Sequence, residues 1–201
     1  MQEITSGRRI ISKVKDSIKH APFFENVYDN PRIKTLLEIL ENEGDEKIII
    51  WCKFQHEIDD IYSVLAEKYG KEKVQVFCGK TTLKAREKAI KEFRGNSKIL
   101  IANKTCAGFG LNLQFCHKAI YYNNDWSFAT RAQSEDRIHR IGQTQKVQLI
   151  DLYAPKTIDV RILDCLDRKE NMANSFRDAV KSKNFKEWLS GVDLKEINDK
   201  D

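Results

Sequence analysis

The stretch "QSEDRIHRIGQ", residues 133–143, sets Arg137 and Arg140 three positions apart and runs into Gly142. Read as helix, residues at that spacing project from one side, so two guanidinium groups are aimed together with Gln133 one turn earlier. A guanidinium is a planar, permanently charged fork of donors suited to carboxylate or phosphate oxygens. The same spacing equally serves an exposed basic helix face whose arginines pair with Glu135 or Asp136. Other polar residues gather in "CGKTT" (78–82), "NKTCAGFGLNL" (103–113) and "NDWSFATRAQ" (124–133). Their glycines, hydroxyls and lysines suit an anion. Singly, Lys80 and Lys104 read as ordinary surface lysines, and Gly108 and Gly110 as a tight turn.

Five short apolar runs rich in β-branched residues place these segments. "KIIIWCKF" (47–54), "VQVFCG" (74–79), "KILIAN" (98–103), "KAIYYN" (118–123) and "VQLIDLYA" (147–154) read as strands. Between them Ile58, Ile61, Tyr62 and Leu65 recur at helical spacing, and "TLKAREKAIKEF" (82–93) reads as a Thr-capped amphipathic helix. Such alternation predicts an α/β fold, a parallel sheet covered by helices on both faces. Ligands in that architecture bind beyond the carboxyl ends of the strands, and the three polar segments follow strands. Residues 1–46 are expected to form a helical, basic extension, with Leu36, Leu37, Ile39 and Leu40 on a helix that Pro31 opens. The core is expected over 47–156, and 157–201 as a helical extension with a frayed charged tail.

Composition limits what such a protein can be. The 201 residues, 41% apolar and 32% charged, describe a globular domain rather than a disordered tail. Thirty-five Lys and Arg against 30 Asp and Glu leave a net charge of +5, which suits a polyanionic partner without demanding one. Five cysteines with no CxxC pair predict free thiols, no metal-ligating set and a reducing, intracellular setting. No apolar run approaches the ~20 residues needed to span a bilayer.

Taken in order, "KIIIWCKF", "VFCGKTTLKAREKAIKEF", "GFGLNL", "NDW" and "QSEDRIHRIGQ" resemble the later motifs of superfamily 2 helicases. "RIHRIGQTQKV" is similar to the Swi/Snf family of DNA-dependent translocases, and the likeness runs from about Lys47 to Ala154. The resemblance implies the second RecA-like lobe of such an ATPase, the fold being a RecA-like parallel sheet. It assigns Arg137 and Arg140 as catalytic arginine fingers acting on ATP, held with Mg²⁺ mainly by a first lobe. Gln133, Gly108 and Gly110 fall to the nucleotide site, where Asn112 fixes the glycine turn. Lys53 and Gln55, then Gly79, Lys80 and Thr81, then Asn103, Lys104 and Thr105 fall to the backbone of double-stranded DNA.

The chain departs from the family at Ser127-Phe128, where relatives often read Asn-Pro, and at Thr105-Cys106-Ala107-Gly108, where they often read Arg-Ala-Gly-Gly. No G-x-x-x-x-G-K-[ST] phosphate loop occurs in the sequence, nor a strand-terminal Asp-Glu pair for Mg²⁺. The expectation is therefore half of a motor, inactive alone, whose partner lobe belongs to the same protein. Its first residues resemble the stretch that joins the lobes in relatives. The alternative expectations are a lobe of an RNA or strand-separating helicase, and a non-catalytic nucleic-acid-binding module.

Overall fold

The computed structural model describes residues 6–14, 17–109, 111–169 and 181. Five strands form one wholly parallel sheet: β3 (Ile48–Cys52), β4 (Val74–Phe77), β5 (Ile99–Asn103), β6 (Lys118–Tyr121) and β7 (Gln148–Asp151), in the spatial order β4-β5-β3-β6-β7. All five coincide with the strands read from the sequence. The central strand β3 is fully buried, and the period-2 alternation of its side chains divides the core. Ile48, Ile50 and Cys52 join Ile99, Ile101 and Ile120 in one apolar cluster, while Ile49 and Trp51 join Leu100, Ala102 and Tyr121 in the other.

Helices cover both faces. On the first lie α1 (Pro31–Asn42), through Ile33, Leu36 and Leu40, and α2 (Gln55–Tyr69), through Ile58, Ile61, Val64 and Leu65. On the second lie α3 (Leu83–Arg94), through Phe93, and the connection after β5, through Cys106, Leu111, Leu113 and Cys116. Sequence signals fix several helix ends. Pro31 occupies the first turn of α1 behind the Asn30 cap, and the Thr82 hydroxyl accepts from the Ala85 amide at the start of α3. Two shorter helices follow: α4 (Phe128–Glu135), capped by Ser127, and α5 (Ile158–Asp167), capped by Thr157.

The basic stretch expected within a helical extension folds differently. Its strands β1 (Arg8–Val14) and β2 (Ser17–Pro22) form an antiparallel hairpin, apart from the main sheet. Ile10, Val14 and Ile18 recur at helical spacing, but the run is rich in β-branched residues, which prefer the pleated ribbon. Among the described residues of 1–46, α1 and a 3-10 turn at Val27–Asp29 are helical. Of the C-terminal extension, α5 is helical as expected; the frayed tail after Lys181 lies outside the described residues. All five cysteines are free and buried. No helix among the described residues is long and apolar enough to cross a membrane.

One buried clasp ties the flanking helices to the sheet. The Arg32 guanidinium in α1 is ion-paired with Asp159 in α5 and donates to the Tyr122 and Leu152 carbonyls at the ends of β6 and β7. Asp159 also accepts from the Ala154 amide at 3.1 Å. Both partners are almost fully buried, Arg32 at 6% and Asp159 at 5% exposure, so removing either strands a charge. Asp159→Ala should therefore cost roughly 3–5 kcal/mol of unfolding free energy, measured from the urea midpoint. A loss below about 1 kcal/mol, the scale of a surface pair, would refute the clasp.

Candidate functional site

The connections after β3 and β5 leave the sheet in opposite directions, one to α2 on the first face and the other to the second face. Adjacent strands whose connections diverge open a crevice at their carboxyl ends, where α/β sheets bind ligands. Side chains from neighbouring strand ends close the base of this crevice. The Lys53 amide donates to Asn123 Oδ1 at 2.9 Å, and the Lys53 carbonyl accepts from Asn103 Nδ2 at 2.9 Å. Asn103 Oδ1 in turn takes the Thr105 amide and hydroxyl. Thus Lys53, Asn103 and Thr105, three residues expected to contact DNA, share one rim.

The "GKTT" loop reaches the same rim through α2. Gln55 Nε2 donates to Asp59 Oδ1 at 3.0 Å, and Lys80 Nζ lies 3.8 Å from Asp59 Oδ2. The Thr81 hydroxyl donates to the Cys78 carbonyl at 2.7 Å, and Arg86 donates to the Gly79 and Cys78 carbonyls at 2.9 Å each. Gly79 and Lys80 are exposed beyond this clamp.

Lys104 departs from expectation. It is 2% exposed, and its ammonium donates to the Asn123 carbonyl and Asn124 Oδ1. A group so committed and so enclosed cannot reach a phosphate; Lys104 is a structural lysine beneath the rim. Burial draws its pKa down to about 8, against the opposing pull of Asp125 and Glu57. Glu57, which the sequence reading did not single out, lies in the same layer at 1% exposure. It accepts from the Lys53 and Phe54 amides at 3.2 and 3.0 Å and from Asn123 Nδ2. A Glu at the third position of a helix, reaching back to its first amides, is half of a capping box and was readable as such.

Around the second-face connection, Lys104–Phe109 form a 3-10 turn that packs against α4. Gly108 falls within this turn, and Gly110 lies outside the described residues. Asn112 Oδ1 accepts from the Gln114 amide at 3.4 Å, on the side away from the glycine turn it was expected to fix. Helix α4 is anchored by Arg131, whose guanidinium stacks 3.4 Å from the Tyr121 ring centroid, contacts Asn124 at 3.0 Å and pairs with Asp151 and Glu135. Gln133 stands exposed on that helix.

The arginines that opened the reading are not on a helix. Helix α4 ends at Glu135, and Arg137 and Arg140 occupy the turns beyond it. The helix stops because the chain must deliver Ile138 to the second core cluster, where it is fully buried. Backbone bonds set the path: Leu113 N–H donates to the Arg137 carbonyl at 3.0 Å and Gln143 N–H to the Arg140 carbonyl at 2.9 Å. Gln143 Nε2 donates to the Gln114 and Cys116 carbonyls at 3.0 Å each. Gly142 takes φ +100°, and a Cβ there would also press on Gln114 at 3.3 Å.

The basic-face alternative required Glu135 or Asp136 as partner. Glu135 is instead bonded to Arg131. Arg140 is exposed, Arg137 is half-buried, and neither guanidinium has a side-chain partner among the described residues. The Nε of Arg137 is buried and without a hydrogen bond there.

A wholly parallel sheet in this strand order, with a switch-point crevice at its carboxyl end, is that of a RecA-like lobe. The chain belongs to the helicase conserved C-terminal domain family, which matches residues 31–142, and within it to the Swi/Snf type. It is 31% identical over 189 residues to an uncharacterized ATP-dependent helicase of Mycoplasma genitalium, an alignment covering 93% of this chain and 18% of that protein. The Sulfolobus solfataricus SWI2/SNF2 ATPase core domain superposes with a TM-score of 0.58 at 26% identity, over 71% of this chain and 29% of that one. The C-terminal part of the Fun30 ATPase domain shares the fold, with a TM-score of 0.65 at 24% identity over 71% of this chain and 47% of that one. The chain thus spans less than a fifth of the length of the Mycoplasma relative.

Burial pushes the Glu57 carboxyl up from 4.5 to about 7, against the Phe54 amide, Arg32 and Asn123. An acid raised on folding contributes stability fully below its unfolded pKa and loses it as pH rises through the folded one. Glu57 therefore gives up its contribution between pH 4.5 and about 7. In Glu57→Gln that part of the pH dependence of unfolding free energy should vanish. Parallel curves for the two proteins would show that Glu57 does not titrate in this window.

Proposed function

We propose that this lobe is the second half of an ATP-driven double-stranded DNA translocase, closing on a first lobe that holds ATP and Mg²⁺. The observation that carries the reading is that, with Glu135 committed to Arg131, Arg137 and Arg140 have no side-chain partner among the described residues. Arginines at the carboxyl ends of the strands are instead bound: Arg32 to Asp159, Arg86 to carbonyls and Arg131 to Asp151. A partner-free guanidinium with a buried, unsatisfied Nε fits a multiply charged oxyanion, and a triphosphate meets that requirement. Arg137 and Arg140 would hold the phosphates, with Gln133 beside them and the turn containing Gly108 packed on the same helix. Bound Mg·ATP supplies a phosphoryl group whose charge spreads onto oxygens as it transfers.

Lys53, Gln55, Gly79, Lys80, Thr81, Asn103 and Thr105 form the DNA rim. Amides, hydroxyls and lysines suit phosphates, and the rim offers no helix for reading bases, so binding is independent of sequence. Lys104 is removed from this set by its burial. The lobe has no phosphate loop of its own, so ATP turnover requires the first lobe.

Arg140→Ala, made in a two-lobe protein carrying this chain, should lower DNA-stimulated ATP hydrolysis about 10³-fold or more, as loss of an arginine finger does. Its thermal unfolding midpoint should stay at the wild-type value, because Arg140 is exposed and unpaired. Arg140→Lys should rescue little, since an ammonium lacks the planar fork. Wild-type turnover in Arg140→Ala would eliminate the finger assignment.

Rim and buried layer separate in a salt titration of duplex binding. Each phosphate contact adds ~0.9 to the slope of log affinity against log salt, so Lys80→Ala should lower it by about 1. Lys104→Met should lower stability and leave the slope unchanged. A slope reduced by Lys104→Met and unaffected by Lys80→Ala would reverse the two assignments.

A further inference from the structure

Two of the residues assigned to the DNA rim meet on one carboxylate. Gln55 and Asp59 stand four positions apart at the start of α2, so their side chains share a helix face. Gln55 Nε2 donates to Asp59 Oδ1 at 3.0 Å, and Lys80 Nζ, from the loop after β4, lies 3.8 Å from Asp59 Oδ2. One oxygen therefore serves the amide and the other the ammonium. The contact is open to solvent, with side-chain exposures of 70% for Lys80 and 59% for Asp59.

The acids beside it are placed differently. Glu57 is buried and collects the Lys53 and Phe54 amides, and Asp60 faces Arg8 at 2.7 Å. Among the acids in the first two turns of α2, Asp59 alone is exposed. Nor does the fold need Asp59 to close the "GKTT" loop. Thr81 N–H donates to the Cys78 carbonyl at 3.2 Å, and Arg86 holds the Cys78 and Gly79 carbonyls. The Lys80 side chain thus extends from a loop fixed without it, and an exposed pair of this kind contributes little stability. What Asp59 does supply is a pair of anionic oxygens in front of two donors read as phosphate ligands. A carboxylate and a phosphate offer such donors the same acceptor chemistry, and the two anions repel when they approach the same donors.

We propose that Asp59 is a resident competitor for the DNA phosphate, which occupies Gln55 and Lys80, yields them when a phosphate enters and takes them back when it leaves. It is a positioning residue, since it acts through those two side chains. Each phosphate contact then exchanges one anionic acceptor for another, so its net gain is smaller than it would be for free donors. Duplex affinity is lowered and release is quickened, which suits a motor that must let go of the strand as it advances. The inference rests on the DNA-binding reading of the rim, and the two are separable by experiment.

Duplex DNA of random sequence is titrated by fluorescence anisotropy against a two-lobe protein that contains the whole chain, as wild type, Asp59→Asn, Lys80→Ala and the double variant. Dissociation is timed by a chase with excess unlabelled duplex. Asparagine keeps an acceptor for Gln55 and removes the charge. Asp59→Asn should tighten binding about five-fold, the scale of one charge pair at about 4 Å in water, and slow dissociation by a similar factor. Its thermal unfolding midpoint should stay at the wild-type value. Lys80→Ala should weaken binding. In the Lys80→Ala background, Asp59→Asn should tighten binding by less than about two-fold, because the ammonium it competed for is gone. If Asp59→Asn binds no tighter than wild type while Lys80→Ala binds more weakly, the competitor is overturned and the DNA reading stands. Equal tightening in both backgrounds overturns it too, since Asp59 would then act as a general negative charge rather than through Lys80. So does tightening by Asp59→Asn when Lys80→Ala binds like wild type. If no variant changes duplex binding, the inference and the DNA reading of the rim fail together. Should Asp59→Asn unfold, Asp59→Ala carries the same comparison.

Discussion

Where the strands of a parallel sheet stop, the next backbone amides and carbonyls lose the neighbouring strand as partner and must find another. Here the partners are side chains of the neighbouring strands. Lys53, which follows β3, has its amide held by Asn123 from beyond β6 and its carbonyl held by Asn103 from β5. Two asparagines thereby lock three strand ends at one residue. Everything proposed for the crevice depends on that lock, because the loops bearing Gln55, Thr105 and the turn against α4 all spring from those ends. The layer beneath completes it, with Glu57 collecting amides from below and Lys104 satisfying the Asn123 carbonyl.

Arginine is used in this lobe in two opposite ways. Arg32, Arg86 and Arg131 spend their donors on carbonyls and carboxylates of their own fold, binding α1, α3 and α4 to the sheet edge. The stacking of Arg131 on Tyr121 adds contact over a desolvated ring. Arg137 and Arg140 follow within nine residues and are left over. Glu135, one of the two acids that the basic-face alternative offered them, is taken by Arg131.

Much of the fold was legible because its signals are local. Five β-branched runs gave five strands, Pro31 and Thr82 marked helix starts, and the polar segments fell at carboxyl ends as the topology requires. What escaped depends on contacts distant in sequence. Nothing near Lys104 reveals that Asn123 and Asn124 will enclose its ammonium, since they follow another strand. The end of α4 was hidden for a related reason: Gln133, Arg137 and Arg140 keep helical spacing, yet Ile138 is claimed by the second core cluster and breaks the helix. The hairpin was missed where helical spacing and β-branched composition disagreed, and composition prevailed. Asn123 closed a run read as a strand and Arg131 lay in a segment marked as polar, yet their roles appear only when the three strands are side by side.

The role proposed for Arg140, acting across a cleft, requires a group placed accurately by its own lobe and still free to engage and release. The turn after α4 divides these demands between backbone and side chain. Arg140 has its amide bonded to the Ile138 carbonyl at 3.1 Å and its carbonyl bonded to Gln143, while Ile138 is buried and Gly142 accepts a conformation other residues resist. Its backbone position is therefore set before any ligand arrives. The ordering cost of engagement then falls mainly on one arginine side chain, about 2 kcal/mol of rotamer entropy, rather than on a loop of several residues at 1–2 kcal/mol each. That cost is small beside the effect of an aligned finger on phosphoryl transfer, and it is returned when the lobes part. Fixing the chain while leaving the guanidinium unpaired is the arrangement that makes such a contact both effective and reversible.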